Sequence, residues 1–312
     1  MCCLFGFVDY GHKLSLKQRN RLLSILATAC EARGTDATGI SYNIGNRLKV
    51  FKRPLPAHLM WYRVPLEATV VMGHTRMTTQ GSEKKNENNH PFLGRTQTGA
   101  FSLAHNGVLY NDKLLRKARK LPDTRIETDS YVAVQLLEQS GKLDFGSLKN
   151  MAEQLEGTFT ITALNQQDEL FFVKGNNPMC IFHFPQQGIY IYASTEEILQ
   201  KALNRTKLRL GKMERVRIYS GEILSINAQG KVSRDEFDDS GLYTAFSGFL
   251  DWPDYQPLSR PYTSRDYEIE DPAYIRDLKA VASCFGVYPE DIDALLADGV
   301  TPEEIEEYLY CG

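Results

Sequence analysis

An α+β fold, with strands and helices in separate layers, follows from three features of this sequence. Short β-type runs crowd the middle of the chain, few helix-length segments fall between them, and neighbouring runs follow at hairpin spacing. A parallel doubly wound sheet would need a crossover helix after nearly every strand.

The chain opens on "MCCLFGFVDYG", with cysteines at positions 2 and 3 where termini usually carry polar residues. Leu16 to Arg33 is predicted as a helix: Leu22, Leu26, Ala29 and Cys30 share a face, Ser15 is the N-cap and Gly34 follows the last turn. The β-type runs are "ATVVMGH", "GAFSLAH", "GTFTITAL", "ELFFVKG", "GIYIYAS" and "GEILSINAQGKV". In "GTFTITAL", Phe159, Ile161 and Ala163 fall on one side and threonines on the other. Between the runs, one helix is predicted to open at Thr128-Asp129 and another to span Phe145 to Leu155. From about Ser233 the sequence turns rich in Tyr, Pro and Asp without a sustained period, which predicts an extended segment or linker. Three short helices close the chain, at Pro272–Phe285, Pro289–Ala297 and Pro302–Tyr310, the last with Thr301 as N-cap and Glu304 at N3. The organisation expected is therefore a main domain over 2–232, an extended segment over 233–270 and a helical module over 271–312.

A chain of 312 residues, 42% hydrophobic and 24% charged, is ordinary for a globular protein. It contains no apolar run near the roughly 18 residues of a membrane span and no secretory signal pattern. Its net charge of -3 carries no nucleic-acid footprint. The six cysteines lack disulfide-scaffold or metal-ligand spacing and read as reduced thiols in a cytoplasmic protein. Neither a metal nor a cofactor is implied.

Cys2 is the first candidate for chemistry. A thiol with a pKa near 8.5 needs a base at neutral pH. Removal of Met1, favoured by a small penultimate residue, would expose an α-amine of pKa roughly 7.7–8.0 on Cys2 itself. That amine could take the thiol proton directly or through one water. From position alone, the reading of Cys2 and Cys3 as buried thiols opening a strand is the favoured one. Four further stretches bear on the choice. "EARGTDATGIS" sets Arg33, Gly34, Asp36 and Gly39 in a turn after the first helix. "MGHTRMTTQGS" ends a strand with Arg76, "LAHNGVLYN" puts Asn106 and Gly107 after a strand, and "RIETDSYVAV" puts Asp129 at a helix start. Each has an ordinary reading as a solvated arginine, a hairpin turn or a cap. Together they supply a thiol, an amine base, donors for an oxyanion, a cation for a carboxylate and an anion for an ammonium.

In this order, "MC-LFG", "RGxDxxG", "GHTRxTTxG", "HNG" and "ETD" resemble the class II glutamine amidotransferases, a branch of the N-terminal nucleophile hydrolases. The resemblance runs from Cys2 to about Val232 and takes in "LEGTFTITAL" and "KGNNPMCIF…IYASTEEIL". It implies a four-layer αββα sandwich. It also implies Cys2 as nucleophile with its own α-amine as base, and the Asn106 amide with the Gly107 N–H as oxyanion donors. Arg76 would grip the α-carboxylate of L-glutamine and Asp129 its ammonium. Thr78 and Thr79 would lie in a loop covering the substrate, with Arg33 near the nucleophile. The sequence departs from many relatives at Cys3, Met77 and Gln80, where they have Gly, Trp and His, and "GSEKKNENNHPF" is a longer, more charged covering loop.

The family's acceptor domains exceed the roughly 80 residues after 232, and neither a P-loop nor a dinucleotide fingerprint occurs. The expectation is a glutaminase delivering ammonia to a synthase or transferase in trans. The alternatives are a stand-alone hydrolase of another γ-glutamyl amide and a silent glutamine-binding protein. From Asp271 onward ten acidic residues face two basic ones, a net of -8 against +5 for the rest of the chain. That contrast suits a handle for a basic partner surface as well as a solvated cap.

Overall fold

The computed structural model describes residues 2–242 and, beyond them, Ile275, Leu278, Lys279, Ile292, Asp293, Leu296, Pro302 and Ile305. The chain divides into two units, Met1–Gln256 and Pro257–Gly312, each taken here by itself.

In chain order the first unit runs β1 (Cys3–Asp9), α1 (Leu16–Ala29), β2 (Ala37–Ile44), β3 (Arg47–Arg53), β4 (Val70–Arg76), β5 (Phe92–Thr96) and β6 (Gly99–Leu109). Three helices follow, α2 (Asp112–Ala118), α3 (Tyr131–Ser140) and α4 (Phe145–Ala152). The remainder is β7 (Gly157–Asn165), β8 (Leu170–Lys174), β9 (Cys180–Phe184), β10 (Ile189–Ala193), α5 (Glu196–Thr206), β11 (Glu214–Val216), β12 (Glu222–Ile226) and β13 (Val232–Glu236). The strands form a seven-stranded sheet, β11-β9-β10-β1-β4-β2-β3, and a six-stranded sheet, β13-β12-β8-β7-β6-β5. Every pairing is antiparallel.

Three apolar layers define the stack. Leu22, Leu23 and Leu26 of α1 and Leu199 and Ala202 of α5 bury against Phe5, Phe7 and Ile191 on the outer face of the first sheet. Leu4, Val8, Met72, Leu164, Phe172 and Leu224 fill the space between the sheets. Val132 and Leu136 of α3 and Leu148 and Met151 of α4 cover Phe159, Ile161 and Ala163 on the far side of the second sheet. This is the four-layer αββα sandwich. The alternation read in "GTFTITAL" is the one the core uses.

β1 shows why the N-terminal stretch is apolar throughout. It lies between two strands and two layers, so all seven of its residues are buried. Phe5 stands across from Gly73, where an added Cβ would come within 2.3 Å of the Phe5 ring, so only glycine leaves room for it. Polar pairs also bridge the sheets: Ser41 Oγ to Ser102 Oγ at 2.7 Å, and Asn43 Nδ2 to the Asn165 carbonyl at 2.8 Å.

Several boundaries differ from expectation. Ser15 caps α1 in a capping box with Gln18, but the α-helix ends at Ala29 and tightens into a 3₁₀ turn over Cys30–Ala32. Gly39 lies inside β2 rather than in the preceding turn. Helix α3 starts at Tyr131, so Asp129 is free for another role. Asn106 and Gly107 lie inside β6, which runs on to Leu109, and not in a hairpin turn after it. The second sheet continues past residue 232 through β13, with Phe237 and Leu242 buried beyond it. Positions 243–270 of the expected extended segment lie outside the described residues.

In the second unit the described residues are helical. Leu278, Ile292 and Ile305 are buried, and Lys279 Nζ pairs with Asp293 Oδ1 at 2.5 Å. The bounds of the three expected helices lie outside the described residues. Among the described residues, no helix is long and apolar enough to cross a membrane.

Candidate active site

Cys2 precedes β1, one residue ahead of the Cys3–Thr75 pair that joins β1 to β4. This register puts Cys2 beside Arg76, the last residue of β4. The half-buried Sγ accepts from the Met77 N–H at 3.4 Å, and the Cys2 carbonyl accepts from Arg33 Nε at 3.1 Å. Burial pushes the Cys2 thiol up, partly offset by the Met77 N–H and the charge of Arg76. At neutral pH the resting group is therefore a thiol in need of a base.

Arg76 is buried and its fork is engaged by the loop that follows it. Nη1 donates to Asn89 Oδ1 at 2.7 Å, and Nη2 donates to the carbonyls of Gln80 at 2.6 Å and Gly81 at 3.3 Å. Asp36 ties down the start of the loop, accepting from the Thr78 N–H at 2.7 Å. The Thr78 hydroxyl is buried without a hydrogen-bond partner, whereas Thr79 is exposed. Arg76 and Asp129 both act electrostatically on Cys2, so cation and anion stand within electrostatic reach of the thiol.

The Asn106–Gly107 pair is positioned by β6. Val108 faces β7, donating its N–H to Thr158 Oγ1 at 3.1 Å. Odd-numbered residues turn to the opposite edge, which β5 leaves after the Phe92–Leu103 pair. There the His105 carbonyl meets His74 Nε2 at 3.0 Å, and the Leu109 N–H donates to Asp129 Oδ2 at 2.6 Å. Gly107 lies between them, so strand alternation aims its N–H along that same edge, toward Asp129. A Cβ on Gly107 would meet the Thr158 carbonyl at 1.9 Å, and φ is 142°, so the position requires glycine. The Asn106 side chain is wholly buried, yet neither Nδ2 nor Oδ1 has a partner among the described residues. Its backbone carbonyl accepts from Asn177 Nδ2 at 2.9 Å.

The β4–β6 link through His74 and His105 joins the stretch holding Asn106 and Gly107 to the strand that ends at Arg76 beside Cys2, and Leu109 ties the same stretch to Asp129. Arg33 reaches the group through the Cys2 carbonyl, and Thr78 and Thr79 lie in the loop after Arg76, with Thr79 exposed. Sequence reasoning missed Asn89, which holds Arg76, and Glu127, which clasps the covering loop. Glu127 pairs with Lys85, accepts from Asn88 Nδ2 at 2.9 Å, and returns its N–H to Asn88 Oδ1 at 2.9 Å. Its backbone carbonyl takes the Gln80 amide at 2.9 Å. Asn88 and Asn89 stand in the quoted "NENNHPF", and Glu127 in "ETD", but only tertiary contact gives them these partners. Among the described residues, no group of three His, Cys, Asp or Glu side chains is placed to hold a metal.

Comparison with known proteins meets this geometry. A sequence profile described as "Glutamine amidotransferase domain" matches residues 61–221, which include Arg76, Asn106, Gly107 and Asp129 but not Cys2 or Arg33. Glutamine–fructose-6-phosphate aminotransferase of Staphylococcus epidermidis is 30% identical over 66% of this chain and 34% of its own length. Amidophosphoribosyltransferase of Methanocaldococcus jannaschii is 29% identical over 72% of this chain and 48% of its own. The chain thus spans between a third and a half of these curated relatives. The solved glutamine PRPP amidotransferase of B. subtilis shares the fold, with a TM-score of 0.60 at 22% identity over 76% of this chain and 49% of that one.

Proposed function

The chain belongs to the glutamine amidotransferase family, and from that premise we propose that it hydrolyses the side-chain amide of glutamine through a γ-glutamyl thioester on Cys2. The observation that carries the reading is Asn106: a fully buried primary amide with no partner, next to a glycine N–H aimed along an unpaired strand edge. A buried polar group left unpaired costs roughly 1–3 kcal/mol, and an oxyanion hole is a reason to carry that cost.

In the proposed reaction, removal of what precedes Cys2 exposes its α-amine, which accepts the thiol proton. Sγ then attacks the amide carbon, and the oxygen takes up negative charge facing Asn106 Nδ2 and the Gly107 N–H. The protonated amine gives its proton to the departing ammonia, and water hydrolyses the thioester to glutamate. Arg76 binds the substrate α-carboxylate, where its planar fork suits bidentate contact, and Asp129 binds the ammonium. Arg33 orients the nucleophile through the Cys2 carbonyl.

We assign the ammonia to a synthase or transferase. The acidic segment from Asp271 supports an acceptor on a separate protein, reached through a basic face. The first boundary, expected at 232, moves past β13, which carries the glutaminase sheet to Glu236; the extended segment up to 270 and the helical module over 271–312 stand as proposals.

The test is the intact mass before and after exposure to an electrophilic glutamine analogue that alkylates cysteine. One adduct at Cys2 on Met1-free protein, blocked by excess glutamine, is expected. Cys2→Ala abolishes glutamate release and Cys3→Ala retains it. Retained Met1, or no adduct on processed protein, would instead favour a silent glutamine-binding protein.

A further inference from the structure

Lys52 lies in β3, outside every motif above, yet its side chain reaches the turn that holds Arg76. The half-buried ammonium donates to the Asn89 carbonyl and to the Glu87 carbonyl at 3.4 Å. It sits 5.0 Å from the centre of the Phe92 ring, a cation–π distance. Asn86 Nδ2 returns a bond to the Lys52 carbonyl at 3.0 Å. One residue of β3 therefore ties down both ends of the Asn86–Asn89 turn.

Asn89 is the consequence of that tie. It is wholly buried, its Nδ2 donates to the Glu83 carbonyl at 2.8 Å, and its Oδ1 receives Arg76 Nη1. A guanidinium fork binds a carboxylate bidentately only when its plane is held, so the direction of Arg76 depends on where Asn89 Oδ1 stands. We propose that Lys52 is a positioning residue for substrate binding: it pins the Asn86–Asn89 turn so that Asn89 orients Arg76 toward the carboxylate of glutamine. This rests on the reading of Arg76 as the carboxylate arginine.

Charge supports the same role. Burial pulls the Lys52 ammonium down to about 8, against the charge of Glu87 and with that of Arg76. The neutral rings of His74 and His90 also stand within electrostatic reach. A substrate carboxylate at Arg76 would add a negative charge to a neighbourhood holding two cations. By linkage, protonated Lys52 favours substrate and substrate favours protonated Lys52.

The experiment compares wild type, Lys52→Met and Lys52→Arg in steady-state glutamate release from pH 6.5 to 8.8, with thermal midpoints as a check on folding. Lys52→Met should raise KM for glutamine about tenfold and leave kcat within twofold. Lys52→Arg should recover most of the loss. Wild-type KM should rise as pH climbs through about 8, and this rise should be missing in Lys52→Met. In parallel, calorimetry measures glutamine affinity in a Cys2→Ala background, where turnover is not needed. A tenfold weaker Kd with Lys52→Met there supports the proposal even if the wild type releases no glutamate, an outcome that would defeat the hydrolase reading alone. Equal KM and equal Kd, or a fall in kcat at unchanged KM, would overturn the role assigned to Lys52.

Discussion

Removing the Asn106 amide should affect chemistry and stability in opposite directions. In Asn106→Ala the oxyanion loses one donor, which costs roughly 2.7–4 kcal/mol in such sites, or about 10²–10³ in kcat. KM should hold within about threefold, because the contacts proposed for the carboxylate and the ammonium lie elsewhere. The thermal midpoint should be unchanged or slightly raised, since an unpaired buried amide is removed. Steady-state kinetics with a melting curve checks both, and a lowered midpoint with normal kcat would make Asn106 a structural residue. The residue types at this site were legible in the sequence; their backbone settings were less so. Asn-Gly reads as a turn because both residues tolerate positive φ, but here the glycine answers a 1.9 Å approach of the Thr158 carbonyl inside a strand. Asp129 reads as a helix cap, yet its carboxylate takes the N–H of Leu109, twenty positions earlier in the chain.

At the scale of elements, the covering loop and the segment before α3 act as one unit through Glu127. Its carboxylate is drawn down chiefly by the Lys85 bond and then by Asn88. The pair with Lys85 is exposed and contributes little by itself. The reciprocal Asn88 bonds and the Gln80 bond to its backbone do the positioning, and they converge on the loop that also holds Arg76. Glu127→Ala should therefore raise KM for glutamine severalfold with kcat nearly unchanged, and should speed limited proteolysis within residues 81–88. Unchanged cleavage together with unchanged KM would mean the loop is held by Asn89 alone. The sequence predicted a charged loop here but not its clasp, because the contact joins Asn88 to Glu127 across 39 positions. Strong periods carried the elements that were foreseen, such as α1 and β7. Helix α2 was missed for the converse reason: its seven residues offer only Leu115 to the core, and Asn111 provides no side-chain cap.

At the scale of the whole molecule, the two sheets meet through neutral imidazoles, and this makes the fold sensitive to acid. His74 bonds the His105 carbonyl across the sheets and packs at a tilt against His90, ring centres 4.2 Å apart, and His90 packs in turn on Phe92 at 4.3 Å. All three histidines are buried. Burial pulls His74 down to about 3, holds His90 well below the usual imidazole range, and lowers His105 despite the nearby Asp129. Above about pH 6.5 these groups are neutral whether the chain is folded or not, so they add no pH dependence. Below it the unfolded chain binds protons that the folded one excludes. Stability then falls by about 1.4 kcal/mol per pH unit for each histidine, continuing toward the depressed folded values. Asp9, raised by burial against the pull of Arg19, works in the opposite direction but is a single group. With His74 and His90 held far down the slope approaches about 3 kcal/mol per unit below pH 5.5, and His105 adds to it over whatever range its own depression spans, enough to exhaust a typical stability of about 5–15 kcal/mol within a few units. Urea midpoints measured from pH 7.5 to 4.5 should therefore be flat at first and fall steeply below 6.5. His90→Leu gives the sharper check, because neither ring nitrogen of His90 has a partner among the described residues, and a leucine removes no hydrogen bond seen there. It should leave stability at pH 7.5 little changed and reduce the acid slope by up to about half, to the roughly 1.4 kcal/mol per unit that His74 supplies plus the share of His105. An unaltered slope in that variant would place the acid sensitivity in the carboxylates instead of the layer between the sheets.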